Sequence, residues 1–292
     1  MPASNTPQPD IGRVAIIGTG LLGASVGLAL RRLGLAQRVI GVGRTTDTLV
    51  EAQALGAIDE GTDDYAAALA DTSLCVIAVP LSCFGQVFRA IAPHDHVGLI
   101  ITDVGSTKAS VHAAAAAALP DPSRFVGSHP MAGSEKRGPS AASADLLPGK
   151  PCIVTTEPGT NPDAAALVEG LWAALGMRII RMSAADHDRQ TAAISHLPHA
   201  AAVLLVQVAA QLGGWDIAST GFRDTTRLAS SNPPMRADIL TANRAAMLEA
   251  IDAFAGQLDR LRTALDREDH AMLLDLLNDS QQHRDQWLAT KE

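Results

Sequence analysis

The stretch that decides the fold lies near the amino terminus and reads Arg13-Val14-Ala15-Ile16-Ile17-Gly18-Thr19-Gly20-Leu21-Leu22-Gly23-Ala24-Ser25. It begins with a short apolar run of the kind that forms a strand buried on both faces. A Gly-x-Gly-x-x-Gly turn and a helical pattern follow, which together form the dinucleotide fingerprint in its required context. Gly18 permits the tight turn, Gly20 lets the backbone approach a pyrophosphate, and Gly23 lets the helix pack on the strand. The stretch predicts a nucleotide site in which Leu21 and Leu22 open the helix that faces the phosphates.

The second predicted strand, Arg38 to Val42, bears on the choice of cofactor. An enzyme that uses NAD usually carries Asp or Glu about 20 residues past the last fingerprint glycine, where it holds the ribose 2′-hydroxyl. Here Gly43 stands at that place, and Arg44 and Thr45 follow it. A guanidinium and a hydroxyl can bind a 2′-phosphate, although a loop arginine can also be a solvated surface charge. We therefore expect NADP as the cofactor, with NAD as the alternative.

Strands and helices alternate up to about residue 182, which predicts an α/β, Rossmann-type dinucleotide-binding domain over residues 1–182. Ligands bind such a sheet outside the carboxyl ends of its strands. The strand that begins at Leu74 runs to Val79 and Pro80, so we expect these two residues to contact the cofactor. The next strand delivers Ser106, which can cap the following helix or reach the nicotinamide and a neighbouring base.

One histidine, His129, stands between a short apolar run and a small, turn-prone segment. On local grounds a structural and a catalytic role are both open, but such a histidine is well placed to line a cleft. An imidazole titrates near neutral pH, which suits a general base. We therefore expect His129 to be the catalytic base. The polar stretch from Ser134 to Pro148 is expected to be a loop that can close over the active site.

The hydrophobic period changes at Ser183, which predicts a second, all-α domain over residues 183–292. Its first helix reaches Leu212 and is apolar nearly all round, so we expect it to be buried, in part against a second subunit. Pro198 should kink it. Two histidines three residues apart, His196 and His199, share a face. They can be core histidines or contacts for an anionic substrate, and a metal pair is a third reading that lacks a further ligand at suitable spacing.

The amino-acid composition indicates which classes of partner and which cellular location to expect. The formal net charge is -8 and aromatic residues make up 3% of the 292 residues, which disfavours a nucleic-acid partner. No apolar run approaches the roughly 18 residues of a membrane helix, so no membrane contact is expected. Residues 1–11 are expected to be a flexible tail without a signal segment. Three scattered cysteines favour free thiols in a reducing compartment, and hence a cytoplasmic protein.

Taken together and in this order, the motifs resemble those of the prephenate and arogenate (cyclohexadienyl) dehydrogenases of tyrosine biosynthesis. The likeness runs from Val14 to about Leu277. Its elements are Gly18-x-Gly20-Leu21-Leu22-Gly23-x-Ser25, Thr102-Asp103-x-Gly105-Ser106-x-Lys108, His129-Pro130-Met131-Ala132-Gly133-x-Glu135, His187-Asp188, Ser195-His196-Leu197-Pro198-His199 and Phe222-Arg223-Asp224-x-Thr226-Arg227.

The resemblance implies a role for most of these residues. His129 would take the proton of a ring hydroxyl as hydride leaves the same carbon for the nicotinamide, and Ser106 would orient His129 and the substrate. Arg227 would bind a substrate carboxylate with help from His196 or His199, as its planar fork suits a carboxylate. Glu135 would lie at the pocket mouth. A small-molecule substrate and a homodimer formed through the helical domain are also implied. The alternatives are a reductase of the β-hydroxyacid or imine type, which leaves His129-Pro130 and His196 to His199 unexplained, and an NADP-binding sensor without catalytic activity.

The sequence departs from the family pattern at the end of the arginine motif. The family often has a tryptophan after Pro-x-Met at this point, and here Pro233-Pro234-Met235 is followed by Arg236. This change bears on the shape of the substrate pocket or on a contact near the dimer interface.

Overall fold

The fingerprint stretch forms the strand and the helix that its sequence predicts. In the computed structural model, which describes residues 11–134 and 136–290, strand β1 (Arg13–Ile17) leads into helix α1 (Leu21–Arg32). The predicted tail, residues 1–11, lies outside the described residues except for its last member, Ile11, which is buried. The chain divides into two compact units, Met1–Arg244 and Ala245–Glu292.

The first unit is built on one sheet of eight strands. They are β1, β2 (Arg38–Val42), β3 (Glu60–Thr62), β4 (Leu74–Ile77), β5 (Ile100–Asp103), β6 (Phe125–Pro130), β7 (Pro151–Thr155) and β8 (Arg178–Met182). Their order is β3-β2-β1-β4-β5-β6-β7-β8. All neighbours run parallel except β6 and β7, which are antiparallel and pair His129 with Ile153. The carboxyl ends of β1, β4 and β5 therefore meet at one edge of the sheet, which is where a doubly wound fold binds its ligand.

Helices cover both faces of this sheet. The helices of the α/β part are α1, α2 (Thr46–Ala54), α3 (Tyr65–Leu69), α4 (Phe84–Ile91), α5 (Ala109–Ala118) and α6 (Pro162–Ala174). Buried residues of α1, α2 and α6 form one core with the sheet, and those of α3, α4 and α5 form the other. The predicted α/β class is confirmed, and so are the free thiols, of which Cys75 and Cys152 are buried.

Two expectations for the α/β part need correction. His129 lies within strand β6 and not in a turn after it, because the strand continues to Pro130. The stretch that follows is not a free loop throughout. It forms short turns from Pro139, and Leu147 is buried. Arg32 of α1 forms an ion pair with Asp145 at 2.7 Å, so this part of the stretch is held on α1.

The helical part of the first unit begins where the period changes. Ser183 caps α7 (Ala184–Thr191) by accepting a hydrogen bond from the backbone N–H of Asp186, as its sequence predicts. A π turn (Ala192–His196) joins α7 to α8 (Leu197–Leu212). Pro198 has no N–H to donate, so the carbonyl four residues earlier loses its α-helical partner, and the backbone widens at that point. The irregularity observed beside Pro198 is this π turn, and the kink itself stays a prediction.

The long helix is not buried all round. Apolar side chains on one side of it stand exposed, among them Leu204, Val208 and Leu212. The segment Ala184–Leu212 is long enough, with a mean hydropathy of 1.5, to cross a bilayer on length and composition alone. The expectation that no such run exists is therefore wrong, although buried polar residues on its inner side tie it to the sheet domain.

Four more α-helices follow in the part of the chain that the structure describes. The first unit ends with α9 (Thr220–Thr226) and α10 (Pro233–Ala242), and the remaining helices are α11 (Arg244–Asp266) and α12 (His270–Ala289). The sequence predicts one helix from Arg236 to Leu265, but Asn243 divides it into α10 and α11. The domain boundary after residue 182 stays a prediction.

Candidate active site

The turn after β1 has the geometry of a phosphate cradle. Gly18 has φ +95°, which a side chain would strain, and a Cβ there would collide with the carbonyl of Ala78. At Gly20 a Cβ would meet no atom within 4 Å, so space is open at the start of α1. No side chain caps this helix and no acidic residue stands in its first turn. The N-terminus of α1 therefore suits an anionic ligand such as a pyrophosphate.

Residues expected at the ribose and adenosine lie around this turn. Val79 is half-buried and lies against Gly18: its Cγ1 atom would be 3.0 Å from a Cβ atom added at Gly18. Pro80 beside it is exposed. Arg44 is exposed and lines a surface cavity of about 270 Å³ between α2 and β3. Asp63 lines the same cavity, so a carboxylate lies near the guanidinium although Gly43 stands at the usual acidic position.

A buried ion pair lies beneath the strand that carries His129. Lys108 and Asp103 are both fully buried and form a salt bridge. The ammonium group also donates to the carbonyl of Ser128 at 2.7 Å, and the carboxylate accepts from the N–H groups of Ser128 at 2.9 Å and Gly105 at 2.7 Å. Burial raises the pKa of Asp103 and lowers that of Lys108, and their pairing opposes both shifts. The pair fixes β5, β6 and the loop between β5 and α5 as one rigid floor.

Three titratable side chains form a line that starts at His129. Its Nδ1 atom lies 2.8 Å from Nε2 of His187, and Nδ1 of His187 lies 2.7 Å from Oδ1 of Asp188. His187 is fully buried and His129 is half-buried, so only the outer end of the line is partly accessible to solvent. The two histidines are 58 residues apart in sequence and come from β6 and α7.

The line fixes the proton positions on both rings. The Asp188 carboxylate can only accept, so Nδ1 of His187 carries a proton and its Nε2 atom carries a lone pair. That lone pair accepts the Nδ1–H of His129. The Nε2 atom of His129 is then left with its lone pair, which is the form a general base requires.

Asp188 also caps helix α5, which was expected of Ser106. Its Oδ1 atom accepts from the backbone N–H of Lys108 at 2.7 Å, and its Oδ2 atom accepts from that of Ala109 at 2.9 Å. The start of α5 is therefore capped by a carboxylate from α7 and not by Ser106. Ser106 is half-buried nearby, and the hydrogen bond that orients His129 is made by His187.

His196 and His199 are buried on the inner side of the long helix. The side-chain amide of Asn243 donates to the backbone carbonyl of Asp188 at 2.8 Å and lies 3.0 Å from Nδ1 of His196. Because that amide nitrogen is a donor, Nδ1 of His196 accepts and its Nε2 atom carries the proton. His196 thus presents an N–H donor, which suits a hydroxyl or carboxylate oxygen.

Burial keeps all of these histidines neutral at pH 7. It lowers the pKa of His129 well below its ordinary value, and the charges of His187, Lys108 and His196 act in the same direction. Burial lowers the pKa of His196 to about 4. It also lowers the pKa of His187, against the effect of Asp188. A neutral His129 is a free base that can accept a proton.

The remaining predicted residues are not drawn into this cluster. Arg227 follows α9 and its side chain is exposed; Leu228 next to it lies on the α8 side, near His199. Glu135 lies outside the described residues. The cluster as described therefore contains His129, His196 and His199, together with two partners to which no role was assigned from sequence, His187 and Asp188.

Two family models match consecutive parts of this chain. One family model, described as the nucleotide-binding domain of prephenate dehydrogenase, matches residues 26–181, and a second, described as its dimerization domain, matches residues 183–279. The chain belongs to the prephenate dehydrogenase family. As a member of this family it is an oxidoreductase with a Rossmann-type nucleotide-binding domain followed by a helical domain.

Individual members of the prephenate dehydrogenase family match nearly the whole chain. A cyclohexadienyl dehydrogenase of Zymomonas mobilis is 35% identical over 280 residues, which cover 93% of this chain and 94% of that protein. A prephenate dehydrogenase of Bacillus subtilis is 34% identical over 281 residues, covering 93% and 75%. The crystal structure of the prephenate dehydrogenase of A. aeolicus with hydroxyphenyl propionate and NAD+ has a TM-score of 0.88, 30% identity, and coverage of 94% and 98%.

Proposed function

We propose that this protein catalyses the oxidative decarboxylation of prephenate or arogenate, with His129 as the base and NADP as the preferred cofactor. The observation that carries the proposal is the line from His129 through His187 to Asp188 beside a dinucleotide-binding turn. Family membership supports the reaction class. NAD(P), when bound, supplies the acceptor for the hydride that leaves the carbinol carbon of the substrate.

His129 handles the proton of the ring hydroxyl. As the C–H bond at the carbinol carbon breaks, the Nε2 lone pair of His129 takes the hydroxyl proton and the carbon becomes a carbonyl carbon. The imidazolium that forms is stabilised by its hydrogen bond to neutral His187, which Asp188 polarises in turn. His129 and His187 together spread the new positive charge along the line toward a carboxylate.

The second half of the reaction needs no further acid or metal. The bond between the ring and its carboxylate breaks, carbon dioxide leaves, and the bonding electrons enter the ring, which becomes aromatic. The former carbonyl oxygen becomes a phenolate oxygen, to which the proton held on His129 can return. The protein therefore mainly fixes the geometry of the substrate.

The basic residues around the pocket are proposed to hold the substrate's carboxylates. His196 presents its Nε2–H, and His199 lies one turn further along the same face. Arg227 and Glu135 stay proposals from the family resemblance, with Arg227 as a carboxylate anchor and Glu135 at the pocket mouth. Ser106 is proposed to contact the hydroxyl or the nicotinamide, since its side chain does not serve as the helix cap.

The preference for NADP rests on Arg44 and Thr45. Gly18 and Gly20 are proposed to lie at the phosphates, with Gly23 packing the helix on β1, and Val79 and Pro80 are proposed to lie near the adenosine. Asp63 in the same cavity weakens this preference because it would repel a 2′-phosphate. Arg44→Ala should raise the Kd of NADP about 10-fold or more and leave that of NAD within about 2-fold, the loss expected for one charge-assisted hydrogen bond. An equal change for both cofactors would refute the role of Arg44.

A cytoplasmic homodimer is proposed as the working form. The exposed apolar side of α8 needs a cover, and the family model that matches this region is described as a dimerization domain. A second copy of the chain satisfies both observations.

The proposed reaction is tested by steady-state kinetics with each substrate and each cofactor in turn. Reduction of the nicotinamide is followed at its absorbance band, together with release of carbon dioxide. His129→Asn should lower kcat by several orders of magnitude and leave cofactor affinity unchanged. A wild-type protein that oxidises neither prephenate nor arogenate would sink the proposal, as would a His129→Asn variant with full activity.

A further inference from the structure

Helix α10 is held between the strand ends and the histidine cluster by hydrogen bonds at two places. Asp238 accepts from the hydroxyl of Ser82, in the turn after β4, at 2.7 Å. At the other end of the helix, Asn243 contacts His196 and the carbonyl of Asp188. The helix therefore spans from the edge of the sheet where ligands bind to the histidines of the pocket.

Arg236 lies on the inner face of this helix. The residues three and seven positions later, Ile239 and Asn243, are both buried, and positions with this spacing share one side of a helix. The Nε atom of Arg236 is buried and has no hydrogen-bond partner among the described residues. The positive charge of Arg236 contributes to lowering the pKa of both His196 and His199, and Asn243, seven residues further along the same side of the helix, lies 3.0 Å from His196.

No carboxylate balances this guanidinium in the part of the chain that the structure describes. Burial lowers the pKa of Arg236, and no acidic side chain acts against that shift. The candidates nearest in sequence are engaged elsewhere, because Asp238 is bound to Ser82 and Asp224 pairs with Arg223. His196 and His199 are neutral donors or acceptors and cannot compensate a positive charge. A half-buried cation that has no partner among the described residues is well placed to bind an anion from a ligand.

We propose that Arg236 binds the side-chain carboxylate of the substrate and makes this enzyme selective for prephenate over arogenate. This inference rests on the proposed function and deepens it. The hydroxyl of either substrate must face His129, which directs the opposite end of the ring, where the side chain is attached, away from that base. Asn243, on the same side of α10 as Arg236, lies 3.0 Å from His196, so Arg236 is on the side of the helix that faces the histidine cluster.

The selectivity follows from charge. The pyruvyl side chain of prephenate carries one negative charge, whereas the side chain of arogenate carries a carboxylate and an ammonium group, with no net charge. Arg236 attracts the carboxylate of both but repels the ammonium group of arogenate. None of the acidic side chains described in the structure is free at this end of the pocket to hold that ammonium group.

The test compares Arg236→Gln with Arg236→Lys, which keeps the charge but loses the planar fork, and with Arg178→Gln as a matched control. Arg178 is exposed on the first residue of β8 and its loss changes the net charge equally. Binding of 4-hydroxyphenylpyruvate and of tyrosine, the products expected from the two substrates, is measured by calorimetry, and kcat/KM is measured for both substrates. Circular dichroism and Tm verify that each variant is folded.

We expect wild-type protein to bind 4-hydroxyphenylpyruvate at least about 10-fold more tightly than tyrosine. Arg236→Gln should weaken binding of 4-hydroxyphenylpyruvate about 10- to 100-fold, the range for one charge-assisted hydrogen bond. Tyrosine should change less, because the repulsion of its ammonium group disappears together with the attraction of its carboxylate. The ratio of kcat/KM values should fall in parallel, Arg236→Lys should be intermediate, and Arg178→Gln should match the wild type.

The inference is overturned if Arg236→Gln changes both ligands by the same factor, or neither, or if Arg178→Gln reproduces its effect. Absence of turnover with both substrates would end the proposed function, but the binding data would still decide the role of Arg236. If the wild-type protein binds neither product, the proposed anion site does not exist.

Discussion

Replacement of His187 tests whether the hydrogen bond to His129 takes part in the reaction. His187→Leu removes the acceptor that lies 2.8 Å from Nδ1 of His129. In the transition state this bond is made to a ring that becomes charged, and such a bond contributes about 1.5–3 kcal/mol. At about 1.36 kcal/mol for each factor of ten, kcat should fall roughly 10- to 150-fold. His187→Gln keeps an amide oxygen that can accept from His129, so it should retain more of the activity.

The assay separates a positioning role from a merely structural one. Replacement of His187 should leave the KM values for substrate and cofactor within about 2-fold of the wild-type values, since His187 lies behind His129 and is fully buried. The primary isotope effect with substrate deuterated at the carbinol carbon should rise, because chemistry becomes more fully rate-limiting. A kcat within about 3-fold of the wild type for a folded His187→Leu variant would refute this reasoning. So would equal losses in His187→Leu and His187→Gln.

Three further predictions follow from burial and charge. Lys108→Met should destabilise the fold by about 3–5 kcal/mol, because it leaves the Asp103 carboxylate buried alone, and urea unfolding should show that adding Asp103→Asn recovers part of the loss. The low pKa values of His112 and His196, about 4 each, mean that the unfolded chain binds more protons between about pH 6.5 and 4. The free energy of unfolding should therefore decrease as the pH is lowered from about 6.5 to about 4, by up to about 1.4 kcal/mol per pH unit for each histidine. His112→Gln should lessen this slope when unfolding by urea is measured at several pH values. Val208→Asp, on the exposed apolar side of α8, should turn a dimer into a monomer in light scattering, and an unchanged mass would place the dimer interface elsewhere.

Much of the fold could be predicted because its signals are local. The strand Arg13–Ile17 and its glycine turn fix the fold class by short-range pattern alone, and Ser183 marks the start of the long helix by its capping geometry. The end of β6 could not be read in this way. His129 is followed by small residues that favour turns, and only pairing with β7, more than 20 residues away, keeps this segment extended.

The proposed base could be singled out from the sequence, but the residues behind it could not. His129 could be singled out by its setting, whereas the contact with His187 depends on how β6 meets α7, which no local pattern encodes. The adjacent pair His187 and Asp188 did carry a signal, because it stands in the polar stretch from Asp186 to Thr191 that opens a long and otherwise apolar helical segment. The Ser106 cap was a reasonable local expectation, but the carboxylate of Asp188 reaches the same backbone N–H groups from a distant element.

The π turn at Ala192–His196 changes the angular register between α7 and α8 from that of an unbroken α-helix. A π turn amounts to one residue more than the α-helical repeat requires, and each residue turns an α-helix by about 100°. Deletion of one exposed residue in it, such as Ile194, would restore a regular helix at the expense of angular register. His187 could then stay behind His129 only if His196 and His199 rotated out of the pocket. One surplus residue of backbone thus sets the angle between the end of this helix that carries His187 and the two sides that carry the buried histidines and the exposed apolar residues.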